Sequence, residues 1–364
     1  MMFHGSYRPS QVTFLLKPIE VDAIEDMAAK ERLIQSGQRH YSEMLSPEKR
    51  PSAEYLALFH AAHQANRQRM AIDCLRLAAL IQQQKQQRST LVSLARAGTP
   101  VGVILQEILS YLYAEHVPHY SVSIIRDRGI DANALNAILA QGHAAESLVF
   151  IDGWTGKGVI NRELQDAIAA FNALHQVKID GRLFVLTDLA GVTDCTASND
   201  DYLIPSSILN ACISGLISRS VLNQSIGADD YHGCVYFKEF EDVDLSQWFV
   251  DDIVKLARDH HKQHGLPPLS NTDALSARQR SQDFMTQYMT QYGIDDVNLI
   301  KPGIGEATRV LLRRLPERLL VQSASNPDVG HLLRLAEEKG VAVEQVSHLP
   351  YHAAAIIIDS AIKY

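Results

Sequence analysis

Cysteine is scarce in this sequence, and long apolar runs are missing. The four cysteines, Cys74, Cys195, Cys212 and Cys234, are widely spaced and form no CxxC pair. Neither a disulfide framework nor a zinc cluster is indicated, so we expect reduced thiols in a cytoplasmic protein. No stretch approaches the about 18 apolar residues of a membrane span, and the N-terminus, MMFHGSYRPS, does not resemble a signal peptide. We therefore expect no membrane partner.

A strongly basic segment is missing as well. Over 364 residues the chain carries 34 lysines and arginines against 42 aspartates and glutamates, a formal net charge of −8. The whole molecule is therefore not strongly attracted to polyanions. Residues 297–364 hold 8 basic and 7 acidic side chains, so this segment is nearly neutral and the rest is acidic. The length and the 46% of hydrophobic residues are typical of two globular domains, with three as the alternative.

The middle of the chain alternates between short apolar runs and amphipathic segments. This alternation predicts an α/β fold in which parallel strands are joined by crossover helices. The predicted strands are 91–94, 120–125, 147–151 and 183–187. A helical region over 1–88 precedes them, and a further helix is predicted within 204–222. Because ligands of parallel sheets bind beyond the carboxyl ends of strands, the polar loops that follow these strands are candidate sites.

The loop after the third predicted strand has the composition of an anion-binding turn. Its sequence, DGWTGKG over 152–158, combines glycines, a hydroxyl, a lysine and the start of a helix. Small residues let backbone amides approach an anion, and a helix N-terminus favours negative charge. Asp152 is suited to a ribose hydroxyl or a metal ion. The pattern predicts a ribose-phosphate site, and an ordinary βα turn with an exposed lysine is the alternative.

Two further loops have anion-binding features. Arg96 and Gly98 open a helix where a pyrophosphate could bind, or they form a simple capping turn. Arg126, Asp127 and Arg128 follow the next strand. Their guanidinium groups suit phosphate oxygens, and a surface ion-pair cluster is the alternative. All three loops are predicted at one edge of one sheet.

The first two thirds of the chain resemble known proteins. The segments SLARAGTPVG, HYSVSIIRDRGID, VFIDGWTGKG, DYLIPSSILNACISGLISRSVLN and DYHGCVYFKEF carry the resemblance, which covers about residues 1–260. They are similar to a bacterial family of tellurium-resistance gene clusters. Its members are described as phosphoribosyltransferase-like and, under a competing label, as the cysteine protease StiP family.

The phosphoribosyltransferase label implies a set of site residues. Asp152, Thr155, Gly156, Lys157 and Gly158 would form the ribose-5-phosphate loop, and Arg96, Ala97 and Gly98 the pyrophosphate loop. Mg²⁺ near Asp152 would assist transfer of ribose 5-phosphate from phosphoribosyl pyrophosphate, or from a nucleotide, to a nitrogen base. Arg96, Arg126, Asp127 and Arg128 would stabilise the transition state beside Asp152. Gly153 departs from the family pattern of two adjacent acids, which leaves two alternatives open: a substrate other than phosphoribosyl pyrophosphate, or a contribution from another acid such as Asp127.

The StiP label implies a catalytic cysteine instead. Cys234 is the candidate nucleophile, because His232 lies two residues before it. A thiolate needs a base within hydrogen-bond reach, and His119 or His175 could also supply it. The alternative is that Cys234 is a small buried apolar side chain. A third function class, a nucleotide or RNA sensor without turnover, is also open.

The C-terminal segment resembles the PELOTA RNA-binding domain. We predict a linker or helix over 264–296 and a small α/β/α sandwich over 297–364, after a phosphoribosyltransferase-like domain over 1–263. The matching segments are IKPGIGEATRVLLRR and RLLVQSASNPDVGHLLRLAEEKGVAVEQV. The resemblance implies contact with structured RNA through the start of a helix. The implied residues are Lys301, Gly303, Gly305, Arg309 and Arg313. A scaffold role is the alternative, and a homo-oligomer is a further expectation.

Overall fold

The computed structural model describes residues 3–85, 88–270, 273–314 and 316–357. In chain order the strands are β1 (Thr13–Leu15), β2 (Lys17–Pro18), β3 (Thr90–Ala95), β4 (His119–Ile125), β5 (Gly129–Ile130), β6 (Leu148–Thr155), β7 (Leu183–Asp188), β8 (Thr196–Ser198), β9 (Gly233–Cys234), β10 (Ile300–Pro302), β11 (Pro316–Val321), β12 (Ala342–Gln345) and β13 (Ala353–Ile357). The helices are α1 (Met27–Gln35), α2 (Ala53–Lys85), α3 (Thr99–Tyr113), α4 (Ala132–Ala140), α5 (Val159–His175), α6 (Ser246–His264), α7 (Ala274–Tyr292), α8 (Ile304–Arg313) and α9 (Gly330–Glu338).

The central sheet is mainly parallel, as predicted. Its strand order is β1-β4-β3-β6-β7-β8, and each neighbouring pair in this order is parallel. The short β5 pairs antiparallel with the end of β4. The prediction of an α/β protein with a parallel sheet is therefore confirmed.

Both faces of the central sheet are covered by helices. Leu91 and Val92 are adjacent on β3 and fully buried, yet they join different apolar clusters. The reason is that successive strand side chains point to opposite faces. Helices α2, α3 and α6 cover one face, and α4 and α5 cover the other. This double coverage explains why β3, β4 and β7 are buried along almost their whole length.

The smaller sheet has the order β10-β13-β11-β12 and is mixed. Helix α7 covers one face through Phe284 and Tyr288, which cluster with Ile300 and Leu320. Helices α8 and α9 cover the other face. The C-terminal unit thus has three layers, and the segment predicted as a linker or helix over 264–296 supplies one of them, α7.

The cores of the two units are continuous. Val310 and Leu311 of α8 belong to the same buried cluster as Ile204 and Ile208, which lie beside the central sheet. All four side chains are at most 2% exposed. The C-terminal unit is therefore packed through apolar contacts onto the first unit.

One predicted helix is wrong. Residues 204–222 form two short 3₁₀ turns, Pro205–Ser207 and Ala211–Ile213, instead of a longer helix. Gly215 has a φ of +81°, which interrupts helical geometry. Strand β6 also continues through Thr155, four residues beyond the predicted end at Ile151. Across the described residues, no helix has the length and apolar character needed to cross a membrane.

Candidate functional site

The three loops singled out from the sequence lie at one edge of the central sheet. Strands β4, β3 and β6 are neighbours and parallel, so their carboxyl ends meet there. Arg96 follows β3, Arg126 follows β4, and Gly156 follows β6. The start of α8, from the C-terminal unit, packs on the same edge. We call this region the edge site.

Trp154 connects the edge site to α8. Its indole Nε1 donates a hydrogen bond to Glu306 Oε1 at 3.3 Å, and the Arg309 guanidinium lies 4.4 Å from its ring centroid. Arg309 also forms an ion pair with Glu306 at 3.2 Å. Burial raises the pKa of the neighbouring Asp152 to about 6, and Arg309 opposes this rise. Asp152 is thus a shielded carboxyl group whose nearest charged groups are on α8.

Two lysines meet at the edge site. Lys157 Nζ donates to the Val297 carbonyl oxygen at 2.7 Å. Burial and the nearby Lys301 lower the pKa of Lys157 to about 7. Burial also lowers the pKa of Lys301, and the Glu306 carboxylate opposes this. The lysine predicted as a phosphate ligand therefore makes its closest contact with the C-terminal unit.

Thr155 is part of a hydrogen-bond network inside the first unit. Its hydroxyl donates to Asp188 at the end of β7. The same carboxylate accepts hydrogen bonds from the amides of Ala190, Val192 and Thr193 at 2.7–3.1 Å. The hydroxyl predicted to bind phosphate is therefore bonded to Asp188, and this network holds the loop after β7 in place.

The glycines of the predicted loops have packing roles. A Cβ on Gly98 would lie 2.4 Å from the Ile151 carbonyl oxygen, and one on Gly158 would lie 2.5 Å from Val192 Cγ1. Gly158 also has a φ of +73°. A Cβ on Gly156 would meet Glu306 Cγ at 3.4 Å. Ala97, between Arg96 and Gly98, is half-buried.

Arg96 points into the first unit. Its guanidinium donates to the Ile217 carbonyl oxygen at 3.0 Å and to Asn210 Oδ1 at 2.5 Å. It also pairs with Glu48 at 3.3 Å. With its side chain only 16% exposed, Arg96 orders the segment that carries Cys212.

The loop after β4 carries ion pairs. Arg126 pairs with Asp127 at 3.1 Å and donates to Asn298 Oδ1 at 3.4 Å. Arg128 pairs with Glu43 at 3.2 Å. This arrangement corresponds to the surface ion-pair alternative, with one additional contact to the C-terminal unit.

The start of α8 is held by the first unit. Asp201 accepts hydrogen bonds from the Ile304 amide at 2.8 Å and the His352 amide at 2.9 Å. Burial raises the pKa of Asp201 to about 6. A Cβ on Gly303 would lie 2.5 Å from Leu189 Cδ1, and Gly303 has a φ of +90°.

The residues predicted to contact RNA are therefore largely turned toward the first unit. Lys301, Gly303, Gly305 and Arg309 all lie in or beside the interface with that unit. The side chain of Arg313 lies outside the described part of the chain.

All four thiols are buried. Cys74, Cys195 and Cys234 are 0% exposed and Cys212 is 3% exposed. Burial raises the pKa of Cys195, Cys212 and Cys234 to about 12, and that of Cys74 well above its usual value. In this conformation the thiols are protonated at neutral pH.

The histidines expected near Cys234 have other partners. His232 Nδ1 lies 2.7 Å from Ser123 Oγ, and burial lowers the pKa of His232. His119 bridges Ser93 Oγ at 2.8 Å and the Gln11 carbonyl oxygen at 2.9 Å. His175 stacks on Phe171. The catalytic role of Cys234 stays a prediction.

Cys212 is the thiol that lies near the edge site, and three charged side chains influence its pKa. It lies in the 3₁₀ turn Ala211–Ile213, directly after the Asn210 that binds Arg96. The carboxylates of Glu48 and Asp244 add to the rise in its pKa, whereas Arg96 lowers it. Cys212 is thus a thiol beside a guanidinium near the carboxyl edge of the sheet.

No metal-binding cluster is evident in the described ranges. Within them, no group of three or more histidine, cysteine, aspartate or glutamate side chains is arranged to hold a metal ion. Mg²⁺ at Asp152 stays a prediction.

Two family models match this chain. The model described as "Tellurite-like stress resistance cysteine protease StiP" matches residues 5–254, and the PELOTA RNA binding domain matches residues 279–359. The chain is also 40% identical to the "Cysteine protease StiP" of Acinetobacter baylyi, over 98% of this chain and 94% of that protein. The chain belongs to the StiP family, and it carries a PELOTA domain.

These matches correct the functional prediction. The expectation of a phosphoribosyltransferase, a glycosyltransferase using phosphoribosyl pyrophosphate, is wrong, because the family and the relative are both named as cysteine proteases. The physical reason for the error is that the 152–158 turn resembles an anion site in composition, whereas Thr155 and Lys157 use their polar groups within the protein.

The sequence also concealed residues that organise the edge site. Trp154, Asp188 and Asp201 each make a contact to a distant segment. Asp188 ends the apolar strand β7, as Asp152 was predicted to end an apolar run, and that position was the available signal. Asp201 follows the short polar strand β8 and gave no such signal.

Proposed function

We propose that the protein is a cysteine-dependent hydrolase that cleaves peptide bonds, with Cys212 as its nucleophile. The names of the family and of the relative support the reaction class. The position of Cys212 in the turn that Arg96 holds through Asn210 supports the choice of thiol, because a nearby cation favours the thiolate. In this conformation the carboxylates of Glu48 and Asp244 outweigh that effect. In the reaction, the thiolate adds to the peptide carbonyl, the amine leaves with a proton, and water hydrolyses the thioester.

The described conformation is a latent one for this chemistry. A thiol with a pKa of about 12 holds almost no thiolate at neutral pH. Activation therefore requires a rearrangement that exposes Cys212 and strengthens its contact with Arg96. The partners that Arg96 would have to leave are Asn210 and the Ile217 carbonyl.

The decisive experiment is a panel of four single variants, each with one cysteine replaced by alanine. Cleavage of a labelled unfolded protein is measured with and without low urea, and circular dichroism verifies folding. We expect Cys212→Ala alone to abolish cleavage, while Cys74→Ala and Cys195→Ala serve as matched buried controls. Loss in Cys234→Ala alone would instead identify Cys234. Full cleavage activity in a variant that lacks all four cysteines would refute the dependence on a thiol.

A second function, RNA binding, is favoured by the PELOTA match. We propose that the start of α8 binds the RNA backbone after it leaves the edge site. Its backbone amides, Lys301 and Arg309 suit phosphates, but they face the first unit in this conformation. Release of α8 would free them together.

Trp154 offers a direct test of release, since the chain has two tryptophans. Trp154→Ala removes the ring between the units and should increase affinity for structured RNA about tenfold, with binding that weakens steeply with salt. Trp248→Ala is the control, since this 44% exposed side chain packs on His60 and His63. In a Trp248→Phe background, RNA should change Trp154 fluorescence. No binding to either alanine variant at low salt would refute the proposal.

Three further predictions concern the fold of the first unit, the domain limits and the oligomeric state. A phosphoribosyltransferase-like fold of the first unit is supported by the parallel order of β4, β3, β6 and β7. The division into a first and a C-terminal unit is supported by the two separate sheets, and the limits 1–263, 264–296 and 297–364 stay predictions. The homo-oligomer stays a prediction.

A further inference from the structure

A polar cavity lies on the far side of Asp201 from the edge site. Its volume is about 300 Å³, and it opens between α2, the 199–201 loop, α7 and the C-terminal sheet. Its polar and charged lining includes Arg69, Asn199, Asp200, Arg280, Tyr351 and His352. Both units therefore supply walls. The volume is at the lower end of the range found for small-molecule sites.

The charged side chains of the lining are two arginines and two aspartates. Arg69 pairs with Asp200 at 2.5 Å and lies 4.2 Å above the Tyr202 ring, which fixes its guanidinium. Arg280 forms no ion pair with any side chain in the described ranges. The Asp201 carboxylate accepts from two backbone amides, which offsets part of its charge. Arg280 is thus the guanidinium of the lining that no described carboxylate pairs with, and its charge favours an anion in the cavity.

Two further donor groups belong to residues of the lining. His352 Nδ1 is buried and, among the described residues, has no hydrogen-bond partner. Burial raises the pKa of Tyr351 to about 12, so its phenol keeps its proton and remains a donor. Two arginines, a histidine and a tyrosine offer more donors than the two oxygens of a carboxylate can use. The three terminal oxygens of a phosphate group match them better.

We propose that this cavity binds a small phosphate monoester and thereby clamps the C-terminal unit to the first unit. Arg69 on α2 would bind the phosphate from one side, and Arg280 on α7 with His352 from the other. The ligand would reinforce the contacts that Asp201 makes between the units. The proposal depends neither on the reactive thiol nor on RNA binding.

The test measures binding to the full chain by calorimetry and by the shift in melting temperature. The probes are inorganic phosphate, a nucleoside 5′-monophosphate and, as a carboxylate of similar size, citrate. We expect the monophosphate to bind best and to raise the melting temperature. Arg280→Gln and Arg69→Gln should each weaken binding at least tenfold. Arg334→Gln is the matched control, because Arg334 is an exposed arginine of α9 paired with Glu338.

Three results would overturn the proposal. One is no binding of either phosphate probe at millimolar concentration. Another is unchanged binding in Arg280→Gln, which would place the ligand elsewhere, such as beside Lys157 and Lys301. The third is citrate binding as tight as monophosphate binding, which would contradict the choice of ligand. If Arg69→Gln fails to fold, the exposed Arg280 still decides the question.

Discussion

Replacing Lys157 with methionine should stabilise the protein at neutral pH, although the change removes a hydrogen bond. Burial and Lys301 lower the pKa of Lys157 from 10.5 to about 7. A difference of about 3.5 units corresponds to about 5 kcal/mol of unfavourable free energy when the ammonium is charged in the folded state. Loss of the bond from Nζ to the Val297 carbonyl cancels about 1–2 kcal/mol of the gain. The net expectation is a stabilisation of about 3 kcal/mol.

The effect must depend on pH in a defined direction. Since the folded-state pKa lies below the unfolded-state value, the unfolded chain binds more protons between about pH 7 and pH 10.5. The wild-type protein therefore gains stability as pH rises through this window, by up to about 1.4 kcal/mol per pH unit. The Lys157→Met variant lacks this group, so its advantage is largest below pH 7 and disappears toward pH 10. Other titrating groups are common to both proteins and cancel in the difference.

Urea unfolding at about pH 6, 7, 8 and 9, followed by circular dichroism, measures this difference. Lys178→Met is the matched control, because Lys178 is exposed beyond the end of α5. The control should leave the unfolding free energy nearly unchanged at every pH. The reasoning is refuted if Lys157→Met destabilises the protein at neutral pH, or if its advantage stays constant with pH.

Three other predictions follow from buried polar groups. Asp188→Ala should lower the free energy of unfolding by about 3 kcal/mol, because three amides and a hydroxyl lose their acceptor. Its melting temperature should fall far more than that of Asp194→Ala, since the Asp194 side chain is 72% exposed. Burial lowers the pKa of His119 to about 4. The free energy of unfolding of the wild type should therefore fall by up to about 3 kcal/mol as the pH falls from 6.5 toward 4. A His119→Gln variant with an equally steep loss would contradict this. The four thiols should react with Ellman's reagent slowly in the native protein and fully in guanidinium; one fast native thiol would show that the buried conformation is not dominant.

Local sequence patterns predicted the central sheet well. The strands β3, β4, β6 and β7 are apolar runs of six to eight residues, and the helices between them have clear periodicity. Strand β1 was missed because three residues give too short a signal, and its partner β4 lies about a hundred residues away. The 204–222 prediction failed because its apolar side chains are buried from irregular turns instead of from a helix face.

The edge site was predictable only in part. Strand order placed the loops of Arg96, Arg126 and Gly156 together, as the alternation implied. Composition could not show that the Trp154 ring meets Glu306, 152 positions later in the chain. Nor could it show that the Thr155 hydroxyl is taken by Asp188. The composition of a turn rich in glycine, threonine and lysine is the same whether its polar groups bind an external anion or other residues of the protein.

The apolar cluster shared by the two units has a practical consequence. Val310 and Leu311 lie on one side of the boundary, and Ile204 and Ile208 on the other, within one buried apolar cluster. Either unit produced alone would expose this apolar surface to solvent and would tend to aggregate. The two halves are therefore expected to melt in a single step, and a graft of one half from a distant relative must bring a matching contact face.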